Sequence, residues 1–339
     1  MESDSGQRLE PNCGIRDALR DCMRERSVSS PTISEYARGV VFGLAAVSIW
    51  SGWIVAARLG LKTSLTPWDI TAIRFAVAGL IVLPYLLRKG LAIDRLGWIG
   101  LAAILLGCGA PMVLVANAGL LYAPAAHAGA LFPGVMPLQV AILAALVISE
   151  PFTGAKRIGF SLILAGALGM VWGTGGTIGS EQNIGHALFL AAGFLWACYT
   201  VAMRKARLEG LHAAAIAAVG ALLTYVPAYA FCTGASLIYA PWRDVALQAV
   251  VQGLLTAVIS LVLYGRAVSI LGASSGAALA ALCPAMTALF AIPVLGEWPT
   301  MIDWIAIILI SVGVYFVSGG PIPMREAKSG ATRKPPAVR

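Results

Sequence analysis

The chain has 339 residues, 59% of them hydrophobic and only 12% charged, with a mean hydropathy of +0.82. That balance excludes an ordinary soluble domain. The net charge is +8, but the basic residues sit in loops and tails and form no contiguous face, so nucleic acid is not an expected partner.

Residues 1–37 are polar, with Ser, Pro and mixed charges, and read as a disordered cytoplasmic tail. Within them "IRDALRDCMRER" offers an alternative, a short helix with Ile15, Leu19, Cys22 and Met23 on one side. The tail is too long and too polar for the start of a cleavable signal peptide, and Met23 is an alternative start of translation. The six cysteines form no C-x-x-C pair, so neither a disulfide framework, a metal site nor a cofactor is expected.

Ten apolar segments follow, five in each half of the chain. The first five run over Gly39–Leu61, Trp68–Leu87, Gly97–Asn117, Ala125–Ile148 and Arg157–Trp172. The second five run over Gly185–Met203, Leu211–Cys232, Val245–Val268, Gly272–Leu295 and Met301–Val317. Unbroken apolar runs of roughly 20 residues predict membrane-spanning helices, since backbone polar groups in lipid must be satisfied within each segment. The fold class is therefore all-α and integral to the membrane. Of the 24 Lys and Arg residues, 20 fall in the two tails and alternate loops. Only Arg58, Lys62, Arg74 and Arg243 fall on the other side, which places both termini in the cytoplasm.

One segment occurs twice. Gly129, Pro137, Glu150, Leu162 and Gly166 recur as Gly276, Pro284, Glu297, Leu309 and Gly313, each pair 147 residues apart. Near the start of each half, Trp50, Val55, Ala56 and Arg58 recur as Trp196, Val201, Ala202 and Arg204. The chain thus divides into a tail (1–37), a first repeat (38–174), a second repeat (184–320) and a basic cytoplasmic tail (321–339). Five spans per repeat turn the second copy upside down, the arrangement of many secondary transporters.

The segments "DITAIRFAVAGL" and "PGVMPLQVAILAALVISEPFTGAKRIGFSLILAG" resemble the first repeat of the EamA-type branch of the drug/metabolite transporter superfamily. The second repeat is matched by "FLWACYTVAMRK" and "ALCPAMTALFAIPVLGEW", and the resemblance spans about residues 38–320. It implies a ten-helix carrier in a bacterial inner membrane that exports or exchanges amino acids, other metabolites or drug-like solutes through a cavity between the halves. One departure is "WSGWIVA", where Trp53 adds bulk at the cavity wall.

Several residues are candidates for the site. Arg74 lies early in the second span and either faces a wet cavity or pairs with Asp69 five positions earlier. Trp50, Trp53, Trp196 and Tyr199 stand at corresponding ends of spans one and six and read as cavity lining, against an interfacial belt. Asn117 and Tyr264, also 147 apart, either bind substrate or bond across helices. Pro137 and Pro284 remove a backbone donor and are candidates for a functional break or a packing kink. Glu150 and Glu297 are possible proton carriers, though both sit at span ends, which fits a structural role.

His127, in a short outer loop with no acid near it in sequence, reads as a solvated side chain. "GASSG" around Ser274 fits a hydrolase nucleophile pattern, but that pattern needs a strand-to-helix turn, and the same residues read as small-residue packing. A passive channel would need rings of charge, which the sequence lacks. The expected partners are a small solute, a proton or other coupling ion, and the lipid bilayer.

Overall fold

The computed structural model describes residues 33–149, 154–173, 181–233 and 236–318. Among these the chain forms no strand, a short helix Ser236–Tyr239 and ten long helical segments. They are α1 (Ile33–Lys62), α2 (Pro67–Lys89), α3 (Ile93–Tyr122), α4 (Ala125–Ile148) and α5 (Gly154–Gly173). The second half gives α6 (Glu181–Lys205), α7 (Gly210–Thr233), α8 (Trp242–Leu271), α9 (Ala273–Ala280 with Cys283–Leu295) and α10 (Met301–Val317). Eight helices are long and apolar enough to cross a bilayer, and α10 is a shorter apolar one. The first helix starts at Ile33, six residues before the apolar run, with Glu35 in its first turn where the helix dipole favours an acid.

Successive helices run antiparallel, so the bundle has a tail end, where α1 begins and α10 finishes, and an opposite far end. With five helices per half, α1 starts at the tail end and α6 at the far end. Helices pair across the two halves: α5 lies along α10, α2 along α7, α1 along α8, and α3 along α6. The first of these contacts needs glycine. A Cβ on Gly159 or Gly313 would sit 2.6 Å from the other's carbonyl oxygen, so the backbones touch as small residues in membrane helices allow.

Helix ends follow local chemistry. Thr66 caps α2 through a capping box with Asp69, and Pro67 occupies the first turn, where its missing N–H costs nothing. Thr300 and Asp303 repeat that box at the start of α10.

Four helices are irregular, and they form two pseudo-equivalent pairs. α3 breaks at Gly109, whose extended backbone (φ −88°, ψ −159°) separates Ile93–Cys108 from Ala110–Tyr122. Its partner α8 widens into a π-helix over Ala249–Ile259, where the Thr256 hydroxyl donates to the Val251 carbonyl at 2.6 Å. α4 carries a π-segment at Ala130–Gly134 before resuming at Met136, and α9 breaks between Ala280 and Cys283. Pro137 and Pro284 occupy the same place in both, the first turn of the second piece. A proline there cannot donate to the preceding turn, so the break lies just before it. Irregular backbone inside a membrane bundle is tolerated only where protein or a cavity covers it.

Candidate functional site

The irregular segments surround Arg74. It lies seven residues into α2, about 10 Å along the helix from its start, and is buried. Its guanidinium donates to Gln252 Oε1 at 3.2 Å, in the π-segment of α8, and lies over the Trp53 ring of α1 at 5.1 Å and near Phe75. Among the described residues no carboxylate comes within ion-pair distance of it, and one of its five N–H donors is engaged. The expected alternative, pairing with Asp69, is not what forms. Asp69 instead accepts from Thr66 in the capping box and from the Tyr229 hydroxyl of α7.

The groups around Arg74 come from both repeats. Trp53 meets Phe132 of the α4 π-segment edge-on, at 6.2 Å between ring centroids. Gln252 Nε2 donates to the Trp53 carbonyl and to Gln248 Oε1, and Gln248 Nε2 donates to the Ala56 carbonyl at 2.6 Å. The two glutamines thus fix α8 to the backbone of α1. Cys108, the last residue before the α3 break, stands near Arg74 and the Tyr199 side chain of α6. Trp196 packs on Tyr199 at 5.2 Å.

Of the candidates read from sequence, Trp53, Arg74, Trp196 and Tyr199 therefore belong to one neighbourhood. Trp50 and Tyr264 form a second, their rings tilted at 52° with centroids 4.9 Å apart, while Trp50 Nε1 donates to Ser260 Oγ at 3.0 Å. Asn117 is fully buried one turn of α2 toward the far end, where it donates to Thr71 Oγ1 at 3.3 Å and leaves its Oδ1 without a partner. Gln248, Gln252, Cys108 and Phe132 were not singled out beforehand. The glutamines carried a signal, two amides one turn apart in an otherwise apolar span.

Glu297 sits in the α9–α10 turn at the far end. Its Oε1 meets Arg58 Nε and Lys62 Nζ of α1, both at 2.9 Å, and its Oε2 accepts the Ala125 N–H of α4 at 2.9 Å. Arg58 also donates to the Leu120 carbonyl of α3. Burial alone would raise the Glu297 carboxyl, but the Ala125 amide and the two cations outweigh it and hold the group below its ordinary value. Its counterpart Glu150 lies outside the described residues.

His127 departs from expectation. It is buried rather than solvated, and its neighbours are His186 of α6 and Asp303 of α10. Sequence distance hid the acid, which stands 176 residues away. Ser274 lies in the helix Ala273–Ala280, after helix α8 and Gly272, so the strand-to-helix turn of a hydrolase elbow is not formed there. No group of His, Cys, Asp and Glu suited to a metal ion occurs among the described residues.

These features define a multi-pass membrane protein of two inverted five-helix repeats with a polar centre between them. The EamA-like transporter family matches residues 37–172 and again 183–319, and the chain belongs to that family of membrane transporters of small solutes. An uncharacterized transporter of Archaeoglobus fulgidus is 27% identical over 278 residues, covering 80% of this chain and 93% of its own. A solved structure described only as a crystal structure of a protein shares the fold, with a TM-score of 0.53 and 20% identity over 83% of this chain and 96% of that one.

Proposed function

We propose that the protein is a secondary transporter that carries a small anionic solute by alternating access, with the anionic group docking on Arg74 between Trp53 and Tyr199. The observation that carries this reading is the buried guanidinium itself. A charge at mid-bilayer costs roughly 2.5–3.5 kcal/mol on insertion scales, and Gln252 offers it a single neutral acceptor. A carboxylate or similar anion is the partner that the remaining donors fit, and the planar guanidinium binds such groups in a bidentate manner. Trp53, Phe132, Trp196 and Tyr199 supply apolar walls for the rest of the solute.

Alternating access is supported by the inverted halves and by bonds between them at the far end. Arg58 and Lys62 to Glu297, and His127 to both His186 and Asp303, cross from one repeat to the other. They must part before a path opens there. By the distribution of Lys and Arg the far end is the non-cytoplasmic one, and the family resemblance points to export. The hydrolase and channel readings have no site in this arrangement that favours them.

Counterflow into proteoliposomes tests the proposal, using a panel of small carboxylates with matched neutral amides and amines. Uptake of carboxylates above their amides is the expected result. Equal uptake of all three classes would overturn the anionic reading. No flux of any solute by folded protein would overturn transport itself.

A further inference from the structure

We propose that His127, His186 and Asp303 form a proton-binding site that locks the far end: one proton bound when that end is closed, and released when it opens. The proposal builds on the transport reading but stands on separate residues. His127 Nδ1 lies 2.9 Å from His186 Nε2, and His127 Nε2 lies 3.0 Å from Asp303 Oδ1. The three side chains come from α4, α6 and α10, and all are buried. Both nitrogens of His127 are used on opposite sides of the ring, so the three groups cannot converge on one metal ion. They form a chain for a proton instead.

The bonds restrict where protons fit. Asp303 Oδ2 is taken by the Thr300 N–H and hydroxyl, each at 2.8 Å, which leaves Oδ1 for His127. With Asp303 ionised, His127 donates from Nε2, and in its neutral form its Nδ1 accepts from His186 Nε2–H. The triad then holds a buried negative charge, and His186 Nδ1 is buried with no partner. Adding one proton makes His127 an imidazolium that donates to Asp303 on one side and to His186 Nε2 on the other. His186 now carries its hydrogen on Nδ1, the triad is neutral overall, and both hydrogen bonds survive. A second added proton puts N–H groups on both facing nitrogens 2.9 Å apart, and that bond is lost. The closed triad therefore accommodates one added proton and no more.

Other charges nearby are few. Arg58 and Lys62 of α1 face Glu297 of the α9–α10 turn, whose Oε2 accepts the Ala125 N–H two residues before His127. Glu181 begins α6 and Tyr122 ends α3 at this same end. The charged residues of α5, Lys156 and Arg157, and those of α3, Asp94 and Arg95, lie at the tail end. The Asp303 carboxylate is the one charged group bonded directly to a triad histidine among the described residues. A closed far end without the proton buries that carboxylate against a neutral His127 ring, so proton binding and closure favour each other.

Linkage of one proton to closure changes the closed-to-open ratio by at most about tenfold per pH unit. The test needs no solute. In the full chain with its native cysteines replaced, a single cysteine at Leu120→Cys, buried at the far end, reports opening through a membrane-impermeant maleimide in proteoliposomes. An exposed Ser64→Cys chain corrects for the pH dependence of thiol reactivity. The corrected labelling should rise between about two- and tenfold per unit as pH increases from 6 to 8. Asp303→Asn and His127→Gln should flatten the profile. His186→Gln should retain the slope, because an amide both accepts and donates at that position, and this variant keeps the test informative if His127→Gln fails to fold. A pH-independent profile in the parent chain, or an equal slope in parent, Asp303→Asn and His127→Gln, would overturn the lock. Neither result bears on whether solute crosses, which the counterflow assay reads separately.

Discussion

Replacing Arg74 by Gln separates a binding role from a structural one, because the two make opposite forecasts for stability. Charge-assisted hydrogen bonds contribute about 1.5–3 kcal/mol each, and four of the five guanidinium N–H donors are not engaged by Gln252. Two such bonds to a carboxylate amount to ~3–6 kcal/mol, and the desolvation of both ions takes back roughly half. About 1.5–3 kcal/mol remains, which corresponds to a loss of solute affinity on the order of 10- to 100-fold. Arg74→Lys keeps the charge but loses the fork, and its loss should be nearer tenfold. Removing the charge also removes its cost of burial, roughly 2.5–3.5 kcal/mol on insertion scales, so Arg74→Gln should melt no lower than the parent in detergent. Concentration-dependent counterflow of the best carboxylate, paired with a melting curve for each protein, reads both quantities. Unchanged half-saturation in Arg74→Gln refutes the docking role, and a large drop in melting temperature points to a structural one.

Further outcomes follow from the same geometry. Glu297 is depressed in the folded protein, so its contribution is present above the ordinary carboxylate value near ~4.3 and is lost as pH falls through the folded value. Glu297→Gln should lower the melting temperature at neutral pH by an amount equivalent to ~1–2 kcal/mol and flatten the acid limb of stability below about pH 5, as thermal scans across pH would show. Gly159→Val forces a side chain into the 2.6 Å approach to Gly313 and should cost ~1–3 kcal/mol, read as reduced melting temperature with α5 parted from α10. Gln252→Leu removes the second bond to the Trp53 carbonyl and the acceptor of Arg74; a loss of ~1–3 kcal/mol is expected, with weaker transport because both Trp53 and Arg74 lose their anchor.

Much of the fold is legible in the sequence. The span from Trp68 to Leu87 became Pro67–Lys89, and Ala125–Ile148 was met residue for residue, because apolar length is a local property. The kinds of break were not legible. Pro137 and Pro284 marked two of them, and the Gly107–Gly109–Pro111 run carries a local breaking signal for α3, whereas the π-segment of α8 lies in an apolar run without proline. The site was partly legible for the same reason. Arg74 stood out as a charge in an apolar run, whereas its acceptor Gln252 stands 178 residues away and Cys108 reads as one more small hydrophobe. His127 was misread because its acid stands in another helix of the other repeat.

The sequence by itself determined that this chain is a membrane bundle, that it is duplicated, and that its halves oppose one another. Those properties follow from apolar length, from a spacing of 147 and from the odd number of spans in each half. Only the tertiary structure decided which polar groups meet. Glu297 between two cations, Arg74 against an amide and two aromatic rings, and His127 between a second imidazole and Asp303 all join residues far apart in the chain. In a medium that solvates no polar group, such partners are set by how the two repeats close on each other.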